Sequence, residues 1–331
     1  MSVLSKLRGS LAPAPGYRVN SFAIERLAHA VRSYGSSQES FDWSDPTYWP
    51  PKSVDPAQVS QYFAVGNAVN FRYWQKGSGG RLNFEEGVKG GLPCSGSRYM
   101  WRCLRVCIES GDSPILDSRH LASLTVREAN AIFSDDAHRQ VMPAMAERVR
   151  NLRDLGRKLS STWQGSFWNV VSACGGSLDR FVDISAAFRA FDDPLCKLTM
   201  VNAIMLQGRG LVQFDADFLP GIDYQLTKQL VRQGAVLPPE PVSRKLMASM
   251  LLTTSEGRDL RATCLFALLE IGRIAGQSGE VVDNLYWSNG RRCDELLPVC
   301  HVLDRERECP FLDACDKRTS FMIPLEHTRY Y

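Results

Sequence analysis

Four of the ten cysteines crowd the C-terminal part of the chain: Cys293, Cys300, Cys309 and Cys315, separated by six, eight and five residues. Four thiolates are what a [4Fe–4S] cluster requires, and equally what a structural Zn²⁺ requires, so spacing leaves the metal open. Four free core thiols are the reading without a metal. His301, next to Cys300, is an alternative ligand to one cysteine. With its four coordination positions filled, such a centre fixes an irregular segment rather than performing chemistry. A second pattern is F-L-P-G-I-D-Y-Q-L-T-K-Q-L at 218–230. Pro220 and Gly221 turn the chain, and the N–H groups opening the next helix can face a phosphate. Asp223 would repel that phosphate; in an ordinary turn between helices it is an N-cap. The chain has no G-x-x-x-x-G-K-[ST], G-x-S-x-G or H-E-x-x-H motif.

The elements that must position these residues read mostly as helices. Phe22, Ile24, Leu27, Ala28 and Val31 have helical spacing and predict a helix over 21–33. Asp55 or Ser53 is placed to cap a helix running through Phe71, on whose continuation Phe71 and Trp74 share a face. Thr125 followed by Glu128 has the capping-box pattern. Further helices are expected over 99–110, 125–133, 143–159, 168–174, 178–191, 195–206, 224–233, 243–253 and 260–274. Residues 1–20 read as an arm, 41–56 as aromatic, proline-rich turns, and 76–96 as glycine-rich loop or short strand. Few segments alternate with period two. The expected fold is mainly α, with an arm at 1–20, a helical domain at 21–290 and a cysteine-rich segment at 291–331 packed on it.

Composition narrows the classes. The chain has 331 residues, 44% hydrophobic and 23% charged, with a net charge of +3. That excludes disorder over most of its length. Its apolar runs fall far short of the ~18 residues that a membrane span needs. The basic N-terminus lacks an apolar core, so no secretory signal is expected and the cytoplasm is the expected location. In that setting the cysteines are not expected to form disulfides. The mild positive charge permits nucleic-acid binding without arguing for it. Arg148, Arg150, Arg153, Arg157 and Lys158 make the helix after Pro143 basic, either as a solvated face or as a track for phosphates.

Several short segments, in order, resemble the queuosine salvage protein family, nucleosidases that release queuine from queuosine or its 5′-phosphate. They are V-G-N-A-V-N-F-R-Y-W at 65–74, W-Q-G-S-F-W-N at 163–169, A-F-R-A-F-D-D at 187–193 and G-I-D-Y at 221–224. R-D-L-R-A at 258–262, V-D-N-L-Y-W at 282–287 and the terminal H-T-R-Y-Y complete the set. The departures are as specific. The acidic residue of the family's D-A-L-N-F falls at Asn67 or Gly66, its K-R-A-Q run is Lys197-Leu198-Thr199-Met200, and its R-V-P-Q is Gln225-Leu226-Thr227-Lys228. Residues 218–230 also resemble the hairpin of helix-hairpin-helix DNA glycosylases, with Asp223 replacing a glycine. The cysteine set is similar to the iron–sulfur loop of endonuclease III-like glycosylases, with a longer middle gap. A helix-hairpin-helix glycosylase-like fold is what these resemblances imply.

Cleaving an N-glycosidic bond builds oxocarbenium character on the sugar, which a carboxylate beside C1′ stabilises. The resemblance puts Asp223 in that role, with Asp283 a second candidate. Asn70, Phe71 and Trp74 would shape a pocket for a planar base, although an aromatic pair at that spacing is equally plain core. Tyr224 and Trp287 are further substrate contacts, and Arg261 would bridge carboxylates or form a surface ion pair. The leading expectation is a hydrolase acting on a 7-deazaguanine-type nucleoside, nucleotide or nucleic-acid residue. The alternative is an enzyme hydrating the nitrile of 7-cyano-7-deazaguanine in DNA, and the third is a non-catalytic DNA-binding relative. The expected partner is accordingly a 7-deazapurine nucleotide or modified DNA.

Overall fold

The computed structural model describes residues 2–35, 41–76, 82–84, 86–109, 111 and 114–331. Among them the chain is mainly α-helical, as expected, with fourteen α-helices and six strands of two to four residues. The stretch 76–96, expected as loop or short strand, lies partly outside the described residues. Its described part holds short antiparallel pairs, Trp74–Lys76 with Leu82–Phe84 and Glu86–Lys89 with Leu92–Ser95. The second pair closes through Gly90 and Gly91, both at positive φ, whose N–H groups donate to the Asp136 carboxylate at 3.0 and 2.9 Å. No helix among the described residues is long and apolar enough to cross a membrane.

The chain divides into two compact units. One comprises Ser5–Phe41 and Asp217–Thr328. Its helices are α2 (Ser21–Gly35), α11 (Tyr224–Arg232), α12 (Glu240–Met247), α13 (Thr254–Ala275) and α14 (Gly279–Gly290). Helix α13 starts in a capping box of Thr253 and Glu256, stops at Gly276 in the left-handed region, and buries Leu260, Cys264, Leu265, Leu268 and Ile271. It packs on α2, α11 and α14. Residues 1–20 carry helix α1 (Val3–Ser10) and strand β1 (Arg18–Val19), which pairs antiparallel with β6 (Val236–Leu237). Beyond α14 the chain is irregular apart from two 3₁₀ turns, Val299–His301 and Glu306–Glu308.

The other unit comprises Asp42–Ala216 with Ser2–Leu4 and Arg329–Tyr331. Its centre is α3 (Pro56–Ala68), capped by Asp55 and buried at every residue from Val59 to Ala68. Helices α4 (Gly96–Glu109), α7 (Met145–Thr162), α8 (Phe167–Cys174) and α10 (Lys197–Gly208) pack around it. A Cβ on Gly66 would stand 1.9 Å from the Trp101 ring, so only glycine lets α4 approach α3 this closely. Helix α6 (Val126–Phe133) has the expected Thr125–Glu128 capping box.

Three expected helices differ. Helix α3 ends at Ala68, so Phe71 lies in irregular chain and Trp74 in a strand, and the two share no helix face. The expected helix at 178–191 stops at Ser185, and that at 243–253 runs instead over α12. The α3 terminus is imposed from a distance. The fully buried Arg148 guanidinium donates to the Val69, Arg72 and Pro143 carbonyls, and it lies over the Phe71 ring at 4.4 Å. Replacing it with Met keeps the stem but strips three carbonyl acceptors, one buried and two part-buried, of their donor. Arg148→Met should therefore destabilise the protein by about 3–5 kcal/mol, read as a lower thermal midpoint, whereas Arg157→Met on the exposed side of the same helix should change little.

Candidate active site and cysteine segment

The segment from Asp217 to Asp223 makes few backbone hydrogen bonds of its own and is held by its neighbours. Its first carboxylate, Asp217, accepts the N–H of Gly279, the first residue of α14. A Cβ on Gly279 would stand 1.9 Å from the Phe218 carbonyl oxygen, so the bare glycine is what lets the segment lie across the helix start. One turn along α14, the buried Asp283 accepts the Gly221 N–H through Oδ1 at 2.7 Å. Arg261, buried on α13, donates through Nε and a terminal nitrogen to the Ile222 carbonyl at 3.3 and 3.2 Å. Between these supports a tight turn closes from Ile222 N–H to the Pro220 carbonyl. Asp283 and Arg261, expected to touch substrate, thus hold the turn that leads into Asp223.

Asp223 is the N-cap of α11. Its Oδ1 accepts from the N–H groups of Gln225 at 2.8 Å and Leu226 at 3.0 Å. Its Oδ2 has no partner among the described residues. A half-buried carboxylate with one oxygen spent on a helix N-terminus and the other available combines a cap with an electrostatic role. Tyr224 next to it is buried. Trp287, one turn beyond Asp283, is half-buried and meets Phe41 edge-on, with ring centroids 5.6 Å apart. Residues 211–223 form no helix. The segment that resembles a helix-hairpin-helix motif therefore has a helix on its C-terminal side alone.

The other unit holds Asn70, Phe71 and Trp74. Both rings are buried, and the Phe71 face carries Arg148. Asn70 belongs to a buried polar chain: Tyr73 OH donates to its Oδ1 at 2.9 Å, and its Nδ2 donates to Asn67 Oδ1. Asn67 Nδ2 reaches Asn202 Oδ1 in turn. The buried Lys197 ammonium donates to the Asn70 carbonyl at 3.1 Å. Asp193 accepts from the N–H groups of Leu195 and Lys197 where α10 begins. Sequence reasoning missed Tyr73, Asn202 and Lys197 as parts of this chain. The available signal was a lysine inside an otherwise apolar helix pattern, at the position of the family's K-R-A-Q run. Along the basic stretch of α7 Arg148 is buried, Arg150 and Arg157 are exposed, and Arg150 and Lys158 are paired with Glu147 and Asp154.

Cys293, Cys300, Cys309 and Cys315 all line one cavity that also touches Arg232 and Phe311. All four are free thiols. Burial pushes the Cys315 thiol up to about 12, reinforced by the other three cysteines and opposed by the Lys317 N–H. Burial likewise raises Cys300 and Cys309, and Cys293 adds to both. Arg232 ties this segment to α11: its guanidinium donates to the Phe321, Asp294 and Glu295 carbonyls and approaches Cys293 Sγ at 3.5 Å. The expected convergence on one ion is not in place among the described residues, where no three His, Cys, Asp or Glu side chains stand as ligands together.

The sequence model of the queuosine salvage protein family matches residues 50–202, all within the α3-centred unit. The queuosine 5′-phosphate N-glycosylase/hydrolase of Sphaerobacter thermophilus is 26% identical over 316 residues, covering 88% of this chain and 93% of that protein. The protein of that name from Mus musculus is 23% identical over 259 residues, with coverage of 73% and 75%, and that from Nematostella vectensis is 22% identical over 246 residues, with 67% of each. The family match in one unit, the near full-length likeness and the ordered motifs agree in their direction: the chain is similar to the queuosine salvage protein family.

Proposed function

We propose that the chain hydrolyses the N-glycosidic bond of a queuosine-type nucleotide, with Asp223 as the carboxylate that faces the reacting sugar. The observation that carries this reading is Asp223 itself. It stands where the family has the acid of F-A-D-Y, its Oδ1 is fixed by two N–H groups, and its Oδ2 is left for substrate or water. In the reaction the bond from C1′ to the base nitrogen breaks, water delivers hydroxide to C1′, and its proton ends on the departing base. A fixed negative charge at C1′ stabilises the oxocarbenium-like transition state and can take the proton from water. Likeness along nearly the whole chain to proteins named for this reaction supports it. Nitrile hydration in DNA finds no support in those comparisons, and the paired charges of α7 add none.

The buried framework around α3 differs from the family pattern in a defined way. The family's acid in D-A-L-N-F is replaced by Gly66, which has no room for a side chain, or by Asn67, an amide tied to Asn202. A neutral amide in place of a carboxylate leaves this buried position uncharged, bonded to the side chains of Asn70 and Asn202. Discrimination among 7-deazaguanine derivatives is where this chain should depart from its relatives.

Mass spectrometry of products from queuosine 5′-phosphate, queuosine and a 7-deazaguanine-containing oligonucleotide tests the proposal. Free base from a nucleotide or nucleoside is the expected result; gain of one water on an intact polymer, with no free base from any of the three, overturns it. Two aspartates should then separate by their variants. Asp223→Asn keeps an efficient cap, so its thermal midpoint should hold while kcat falls by about 10²–10⁴. Asp283 acts as a positioning residue: Asp283→Ala should lower both midpoint and kcat, and Asp283→Asn, which still offers Gly221 an acceptor, should recover part of each.

A further inference from the structure

The four C-terminal cysteines take no part in the proposed chemistry. Their sequence spacing and their placement in the fold are independent observations. All four thiols reach the same cavity, which encloses about 20 Å³, room for one water-sized sphere. The residues around it suit a soft, negatively charged centre. Arg232, Arg292 and Lys317 line the same cavity, and three guanidinium or ammonium groups offset the net negative charge of a metal held by four thiolates. Two donors already address sulfur. The Arg232 guanidinium points at Cys293 Sγ at 3.5 Å, and the Lys317 backbone N–H points at Cys315 Sγ at 3.3 Å. Such N–H···S contacts are the outer-shell bonds that orient thiolate ligands.

We propose that Cys293, Cys300, Cys309 and Cys315 together bind a thiophilic metal centre, a single zinc ion or an iron–sulfur cluster, that clasps the segment after α14 to Arg232. The thiols as they stand do not surround one ion. The chain between them contains just two 3₁₀ turns of three residues each, so they can draw inward without breaking a helix or a sheet. A centre here is structural. It joins α11, whose first turn carries Asp223, to a segment with little regular structure of its own. The enclosed volume suits one ion, and a four-iron cluster would require the segment to open further.

The test reads metal, not turnover. The full-length protein, expressed with zinc and iron supplied and purified under nitrogen without chelator, is analysed for metals, sulfide and visible absorbance. The proposal expects either about one zinc per chain, or about four irons with sulfide and a broad visible band. Titration of that protein with a mercurial should release the metal as the four thiols react. Cys309→Ser should lower metal content several-fold, while Cys174→Ser, outside the cavity, should retain it. Metal content no higher than in a variant with all four cysteines changed to serine overturns the proposal. Should that variant fail to fold, mercurial titration of the unaltered protein that releases no metal overturns it equally.

Discussion

A single hydrogen bond, from the Gly221 N–H to the buried Asp283 carboxylate, organises the unit that carries the proposed catalytic acid. The segment 217–223 has no helix or sheet ladder to satisfy its backbone, so its polar groups must find partners elsewhere. Asp283 takes one, Arg261 takes the next carbonyl, and Asp217 ties the start of the segment to Gly279. Each support comes from a helix already fixed by its own apolar face, α13 or α14. The turn is held to the helix framework, and with it the direction in which Asp223 leaves the first turn of α11. Preorganisation of this kind lets one carboxylate meet a developing positive charge without reorganising at the moment of reaction.

The α3-centred unit follows the same principle with a cation. Arg148 is buried without an apolar alternative, and its donors gather the Val69, Arg72 and Pro143 carbonyls. That ends α3 at Ala68 and presents Asn70 and Tyr73 as one connected polar group with Lys197. In both units a buried charged side chain bonds to backbone rather than to an opposite charge alone. Such an arrangement fixes geometry, and removing the side chain is costly because it leaves backbone carbonyls without their donor.

What could be read from the sequence divides along this line. Caps were legible because they are local: Asp55, Thr125 and Asp223 each bond N–H groups two or three residues on. Most helices were legible from apolar spacing. The stop at Ala68 was not, since it depends on Arg148, far along the chain, and so Phe71 and Trp74 read as a helix face they do not form. Arg148 itself read as part of a basic surface because its neighbours Arg150 and Arg157 are on one. Asp283 and Arg261 were found as functional candidates through the family resemblance, yet their bonds to Gly221 and Ile222 follow from tertiary packing that no local pattern encodes. The cysteine spacing pointed to a shared site; the four thiols line one cavity, but no three of them stand together as ligands among the described residues, and ligand geometry is beyond what spacing can specify.

The central claim, that water attacks the sugar carbon and the base departs, is tested most directly by running the reaction in oxygen-18-labelled water. Early quenching keeps exchange of the freed sugar with solvent small. The account predicts one labelled oxygen at C1 of the released sugar phosphate and none in the base. Label in the base of an uncleaved nucleotide, or consumption of substrate without label in the sugar, would contradict it.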